Sequence, residues 1–310
     1  RMRGETPSPS PLTGEARYGG AALRMHVLPI LTVSTILVVL WYALSILLNW
    51  QVVTDAQARA GLTPEFRATV AQTLNHTRPL LPAPHQVIEE VWRSTATLPV
   101  TSRRSLIHHA WITLSAALAG FGIGTLAGVL LATAVTHIRA LDRALMPWIV
   151  ASQAIPVLAL APIVVVALGA LGFDGLLPKA LIAAFLCFFP VAIGMVKGLT
   201  SADRLALDLL RTYSATRSQV FWTTRLPSSL PFLFAALKVA AAAAVVGAIV
   251  AELPTGAQAG LGARLLAGSY FGQTVQIWAA LTVAAILSAT LVGLLALLER
   301  ALARRMGARA

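Results

Sequence analysis

Few side chains in this sequence could do chemistry, and their spacing limits what that chemistry is. The three lysines, Lys179, Lys197 and Lys238, are followed by Ala180, Gly198 and Val239. A phosphate-binding loop needs Gly-Lys-Ser/Thr, so that backbone N–H groups and the lysine close on the phosphates. The chain therefore does not bind ATP by that loop, and any work against a gradient draws on a partner. His108 and His109 invite a metal, but neighbours on a helix point about 100° apart and no Cys, Asp or Glu follows at ligand spacing. They read as polar residues at an interface. No Ser-His-Asp, H-E-x-x-H or paired-carboxylate arrangement is visible in the apolar segments. What remains is polarity or a broken backbone inside apolar runs, at Gln153, Pro156, Lys238 and Glu252. Such positions are candidates to line a path through a membrane. Lys238 could instead snorkel to headgroups, and Glu252 could be a solvated helix terminus.

The elements that must position these residues follow from composition. Of 310 residues, 57% are hydrophobic and only 12% charged, too apolar for one soluble core. The formal charge of +12 does not point to nucleic acid, because the arginines cluster in the gaps between apolar runs. That distribution is a topology signal. Val27 to Leu48 carries no charge over 22 residues, and at about 1.5 Å per residue it reaches roughly 33 Å, enough to cross the hydrocarbon layer. Further spans are expected at 110–135, 145–171, 178–196, 230–252 and 275–298. The expected fold is an all-α integral membrane protein with six transmembrane helices.

Six spans put both termini on one side. Lys and Arg number fourteen in the terminal tails and the segments 136–144 and 199–229, against seven on the opposite side. The excess places both termini in the cytoplasm. Residues 1–26 then read as a flexible cytoplasmic tail, 49–105 as a periplasmic or interfacial segment, 106–300 as the core and 301–310 as a second tail. The first span is read as an uncleaved anchor, since it is longer than a signal-peptide core. The Arg before Met2 hints that Arg1 is not the native start.

Gly120, Gly124 and Gly128 recur at every fourth position, so they share a face that lets another backbone approach. The third span carries Pro147, Pro156 and Pro162, which interrupt its hydrogen-bond ladder. The stretches 63–74 and 83–92 have the periodicity of amphipathic surface helices. Gly256, Gly260 and Gly262 mark a flexible outer loop, and Cys187 reads as a small buried hydrophobe.

Between the fourth and fifth spans lies the polar stretch LALDLLRTYSATRSQVFWTTRLPSSLP, residues 205–231. Leu205, Leu209 and Tyr213 fall at i, i+4 and i+8, one apolar face, while Arg204, Asp208 and Arg211 point elsewhere. A turn is expected at Ser214-Ala215. Thr216 and Gln219 have capping-box spacing and start a second short helix carrying Val220, Phe221 and Trp222. Pro227 is expected to bias Leu226 out of the helix and stop it, with Ser228 and Ser229 capping the fifth span.

This stretch resembles the EAA loop of bacterial ABC importer permeases. That pattern is E-A-A, three residues, Gly, nine residues, a hydrophobic residue, one more, and Leu-Pro. Here Asp208-Leu209-Leu210, Ser214, Thr224 and Leu226-Pro227 keep the spacing, with Asp for Glu, Leu-Leu for Ala-Ala, Ser for Gly and Thr for the apolar residue. The stretches LPAPHQV, QAIPVLALAPIVVVALG, LKVAAAAAVVGAIVAEL and GLGARL are similar, in order, to the nitrate/sulfonate/taurine-type subfamily. The resemblance covers about residues 80–300. It implies a type I importer permease in the bacterial inner membrane, working with a second copy of itself, two cytoplasmic ATPase subunits and a periplasmic substrate-binding protein. ATP-Mg would sit on the ATPase, with no cofactor in this chain. Asp208, Arg211, Tyr213, Ser214, Ala215, Thr216, Arg217, Phe221, Trp222, Leu226 and Pro227 would form the coupling surface. Gln153, Pro156, Lys238 and Glu252 would line the pathway; the last two match positions where the subfamily commonly has a basic residue and a glutamate. The implied cargo is a sulfonate, taurine or nitrate-like anion, or a pyrimidine such as a thiamine precursor.

Two other readings compete. A membrane-embedded enzyme predicts clustered His, Asp, Glu or Cys facing one cavity. A non-transporting scaffold or sensor predicts no ATPase or binding-protein gene nearby.

Overall fold

The computed structural model describes residues 12–63, 65–253 and 259–305. Among them every regular element is helical: α1 (Leu12–Arg59), α2 (Phe66–Leu74), α3 (Pro84–Trp92), α4 (Leu106–His137), α5 (Arg139–Ala151), α6 (Val157–Ala170), α7 (Leu176–Thr200), α8 (Arg204–Thr212), α9 (Arg217–Val220), α10 (Leu226–Glu252), α11 (Leu261–Tyr270) and α12 (Thr274–Arg305). Helices suit a chain of long apolar runs, because each satisfies every backbone group within its own segment, as hydrocarbon requires. Five helices are long and apolar enough to cross a membrane, and the bent pair α5 and α6, taken as one broken span, makes six.

The chain divides into two compact units, one ending at Val87 and the other beginning at Ile88. In the first, α1 runs past both ends of the expected span. Residues 12–26, expected as flexible tail, are helical, in keeping with the helix-forming Ala, Leu, Glu and Arg they contain. At the far end α1 continues to Arg59 and closes in a Schellman turn: Gly61 has φ of 71°, its N–H donates to the Ala58 carbonyl and Leu62 N–H to that of Gln57. A polar edge of α1 holds the chain that returns from α2. Buried Asn49 accepts from Leu80 N–H at 2.6 Å and donates to the Leu81 carbonyl at 2.8 Å. Trp41 Nε1 donates to the Pro82 carbonyl at 3.0 Å. The helices expected in 63–74 and 83–92 are α2 and α3.

The second unit is built on α4, α7 and α10. The glycine face of α4 meets α7: a Cβ at Gly124 would lie 2.7 Å from both the Ala184 carbonyl oxygen and Cys187 Cβ, and one at Gly128 would lie 2.8 Å from the Phe188 oxygen. Small residues continue the seam, with Ala116, Ala117, Ala240, Ala244 and Ala248 fully buried beside Cys187 and Val191. Backbones this close gain van der Waals contact, which drives helix association where lipid is as apolar as protein. Cys187 sits in this seam as a small buried group, its thiol directed at the Ala240 carbonyl at 3.1 Å. α6 lies against α7 and α10 through Ala161, Ile182, Val250 and Ala251. α12 closes on α10 and α11.

The third expected span departs most from a simple rod. Its two halves meet at 99° across a short 3-10 turn, Ser152–Ala154. Ile155 and Pro156 are extended there, since a residue before proline is pushed out of helical geometry. Pro147 and Pro162, by contrast, sit within α5 and α6.

Candidate functional site

The polar stretch between α7 and α10 folds as a helix pair. Asp203 caps α8 by accepting from Leu205 N–H at 3.2 Å. Asp208 and Arg211 pair at 2.9 Å on its exposed side. Its end is a Schellman turn: Ser214 N–H donates to the Arg211 carbonyl, and Ala215 N–H to that of Leu210 at 3.0 Å. This geometry forces Ser214 to φ of 54°, the one positive value among the described residues that is not a glycine. A left-handed serine costs about 1 kcal/mol relative to glycine, so the turn is kept at an energetic expense. Thr216 and Gln219 complete the expected capping box, with Gln219 N–H donating to Thr216 Oγ1 at 3.3 Å and Thr216 N–H to Gln219 Oε1 at 2.8 Å.

Leu226-Pro227 does not end the second helix, which is a correction to the expectation. Leu226 is helical, with φ of −64° and ψ of −49°, and residues 217–252 form one continuous rod. The turn before it, Phe221–Arg225, is a π-helix. A widened turn changes the hydrogen-bond register, so the missing N–H and the ring of Pro227 are accommodated at the first turn of α10. Ser228 and Ser229 accordingly do not cap. Their hydroxyls donate back to the carbonyls of Thr224 and Leu226, at 2.8 and 2.7 Å.

The apolar face of α8 is open: Leu205, Leu209 and Tyr213 are 78%, 57% and 76% exposed. Trp222 joins them at 64%. Phe221 turns the other way, packing with Leu226 over Ala132, Met195 and Leu199 and lying 5.4 Å from the His137 ring. Ala215, Arg211, Arg217, Arg225 and His137 line a cleft of about 570 Å³ beside the turn. Thr216, Arg217 and Pro227 are exposed. Of the coupling candidates, Asp208, Arg211, Tyr213, Ser214, Thr216, Arg217, Trp222 and Pro227 are exposed and Ala215 is half-buried, whereas Phe221 and Leu226 pack against the core.

At the opposite end of α10 the structure assembles a buried polar knot. Glu252 is fully buried, so it is not a solvated terminus. Its carboxylate accepts from Thr113 Oγ1 at 3.0 Å, from Gly262 N–H at 2.8 Å and from Lys179 Nζ at 3.5 Å. Thr113 in turn accepts from Leu261 N–H at 2.9 Å. The start of α11 therefore meets a carboxylate, which suits the positive end of its dipole. His109 is buried beside it: Nδ1 accepts from Gly260 N–H at 2.9 Å, so Nε2 carries the proton and donates to the Arg103 carbonyl. With both ring nitrogens engaged, His109 offers a metal no lone pair. Nothing in the sequence singled out Thr113, and Lys179 drew notice only as a lysine without a phosphate-loop context. Gly256, expected in the same loop, lies outside the described residues.

Lys238 pairs through its ammonium with Glu299 Oε2 at 2.8 Å, linking α10 to α12. Gln153 and Pro156 are exposed at the 99° break, and Val157, which follows them, packs against the cluster that holds Val250 and Ala251 of α10.

The chain matches the family described as binding-protein-dependent transport system inner membrane component over residues 124–308, more than half of its length. It belongs to that family. The permease is 36% identical over 225 residues to the riboflavin transport system permease protein RibX of Chloroflexus aurantiacus, covering 73% of this chain and 80% of the relative. It is 34% identical over 183 residues to the formylaminopyrimidine transport permease protein ThiX of Halalkalibacterium halodurans, covering 59% and 68%. It is 30% identical over 244 residues to the taurine transport system permease protein TauC of Escherichia coli, covering 77% and 83%. The permease is thus the multi-pass inner-membrane subunit of an ABC importer, a transport component. Membership implies ATPase and binding-protein partners.

Proposed function

We propose that the permease pairs with a second copy of itself, receives ATP-driven motion from two cytoplasmic ATPase subunits through α8, α9 and the π-turn, and accepts its solute from a periplasmic binding protein. The observation that carries this reading is the exposure of Leu205, Leu209 and Tyr213 on α8, and of Trp222, on a capped helix pair whose second helix runs on into α10. Apolar side chains on a polar linker call for a protein partner. A rod of 36 residues passes a push from that surface to the far end of the span, where a loose loop would dissipate it.

In this arrangement both termini are cytoplasmic and ATP-Mg is bound by the ATPase. Gln153 and Pro156 line the pathway at the broken span, because irregular backbone at membrane depth is stable where it borders protein or a wet cavity. Lys238, through Glu299, holds α10 to α12, and Glu252, through the knot, holds it to α4 and α11. The relatives named for riboflavin, formylaminopyrimidine and taurine support a small polar solute, either a nitrogen heterocycle or a sulfonate.

The test is co-purification and transport with the cognate ATPase, using Leu209→Glu and Tyr213→Ala. Loss of both with an intact melting profile is expected. Unchanged assembly and uptake would overturn the coupling assignment. The solute is identified separately, by thermal-shift screening of the binding protein.

A further inference from the structure

A second polar site lies where α10 finishes, at the other end of that helix from the helix pair. It is a half-enclosed cavity of about 620 Å³ formed by residues from 90 to 104 together with α11 and the start of α12. Three guanidinium groups, Arg93, Arg104 and Arg264, share it with one carboxylate, Glu90. Glu90 is already ion-paired with Arg93. Arg264 donates through Nη2 to Gln276 Oε1 at 2.9 Å, but its Nε is buried and has no hydrogen-bond partner among the described residues. Burial pushes the Arg264 guanidinium down from its ordinary value; Glu90 opposes that fall and Arg104 adds to it. A buried donor left unsatisfied is costly, and a guanidinium fork is matched best by a planar or tetrahedral oxyanion. The volume falls in the range of small-ligand sites.

We propose that this cavity is an oxyanion site, in which Arg264 and Arg104 receive the sulfonate, phosphate or carboxylate group of a small solute or of an anionic lipid headgroup. The site stands apart from the coupling surface and assumes nothing about the transported solute. Arg264 provides the inner donors. Arg104, exposed at the rim, supplies the second charge. The side-chain amide of Gln276, held by Arg264, fixes the fork in place.

The experiment uses the full chain in neutral detergent, with inorganic sulfate as probe and chloride at matched ionic strength as control. Sulfate is expected to raise the melting midpoint saturably and beyond chloride. Arg264→Gln is expected to abolish that component, and Arg104→Gln to raise its half-saturation about tenfold, the equivalent of about 1.4 kcal/mol. Arg304→Gln, on the distant end of α12, is expected to leave it unchanged. If Arg264→Gln does not fold, the exposed Arg104→Gln decides. A sulfate response equal to that of chloride, or one insensitive to these variants, would overturn the site. Nanodiscs distinguish the two sources. A response seen in phosphatidylcholine alone but suppressed by added phosphatidylglycerol assigns the site to a lipid headgroup; a response equal in both assigns it to a soluble oxyanion.

Discussion

Thr113 on α4 and Glu252 at the end of α10 are 139 residues apart in sequence and meet at 3.0 Å in a site closed to solvent. Thr113 donates to the carboxylate and accepts from Leu261 N–H, so two residues tie three helices. Glu252→Ala would leave the Thr113 hydroxyl, the Gly262 N–H and the Lys179 ammonium without this acceptor. Removing one partner of a buried charged network costs about 3–5 kcal/mol. Thr113→Val removes a hydroxyl but leaves the carboxylate its other donors, and should cost about 1–3 kcal/mol. Thermal unfolding of the purified chain should rank Glu252→Ala below Thr113→Val and both below the parent. Equal midpoints would mean that the knot does not hold the fold.

Two glycines, Gly124 in the seam between α4 and α7 and Gly293 on α12, carry predictions of opposite sign. A methyl group at Gly124 would meet the Ala184 carbonyl oxygen at 2.7 Å, whereas one at Gly293 on α12 would meet nothing within 4 Å. Gly124→Val should force the helices apart and cost about 1–3 kcal/mol or more. Gly293→Ala should be neutral or stabilising by up to about 1 kcal/mol, the difference in helix propensity. Yield of monodisperse protein and melting midpoint read both.

These two sites also mark what could be read from the sequence. The glycine face of α4, the capping box of Thr216 and Gln219 and the left-handed turn at Ser214 rest on residues within a few positions of one another. Their physics is local, so spacing reveals it. Glu252 looked like a helix end because its partners are supplied by Thr113, Lys179 and Gly262, none of which its own neighbourhood can announce. Lys238 read as a pathway or snorkelling residue with no partner in view for the same reason, Glu299 being 61 residues away. The prolines of the third span announced an interruption, but the 99° angle depends on what α6 packs against. Leu226-Pro227 misled because a π-turn, invisible to residue type, lets the helix run through.

The Lys238–Glu299 pair is testable by charge exchange. Both side chains are about one-third exposed, 31% and 30%, so part of the attraction is screened. Lys238→Glu places two carboxylates together, and Glu299→Lys two ammonium groups. Each single variant should lower yield and melting midpoint, and the double exchange should recover much of the loss. A coupling of about 0.5–3 kcal/mol is expected from the double-mutant cycle; additive losses would show that the two residues act independently.

Ser214 holds its turn against its own preference. Ser214→Gly should stabilise the helix pair by about 1 kcal/mol, because glycine reaches positive φ without a clash. A β-branched residue is worse there than serine, so Ser214→Val should loosen the turn and weaken ATPase co-purification. If glycine and valine behave alike, the turn geometry does not govern docking.

Phe221 and Trp222 are neighbours in opposite surroundings. Phe221 packs over Ala132, Met195 and Leu199, while Trp222 stands 64% exposed with its ring at right angles to that of Phe221. Phe221→Ala opens a void under the π-turn and should lower stability by roughly 1–3 kcal/mol, less than the full cost of a buried phenylalanine because the ring is half-buried. ATPase binding should fall with it, since the helix pair loses its root. Trp222→Ala removes no core contact and should leave the melting midpoint within the range of about 0.5 kcal/mol expected at surface positions. If Trp222 faces the ATPase, the same variant weakens co-purification strongly, as truncation of an exposed aromatic anchor does at protein interfaces. Measuring both quantities on both variants separates anchoring from docking. A Trp222→Ala chain that binds the ATPase normally would place the contact elsewhere on the pair, leaving Leu209 and Tyr213 to carry it.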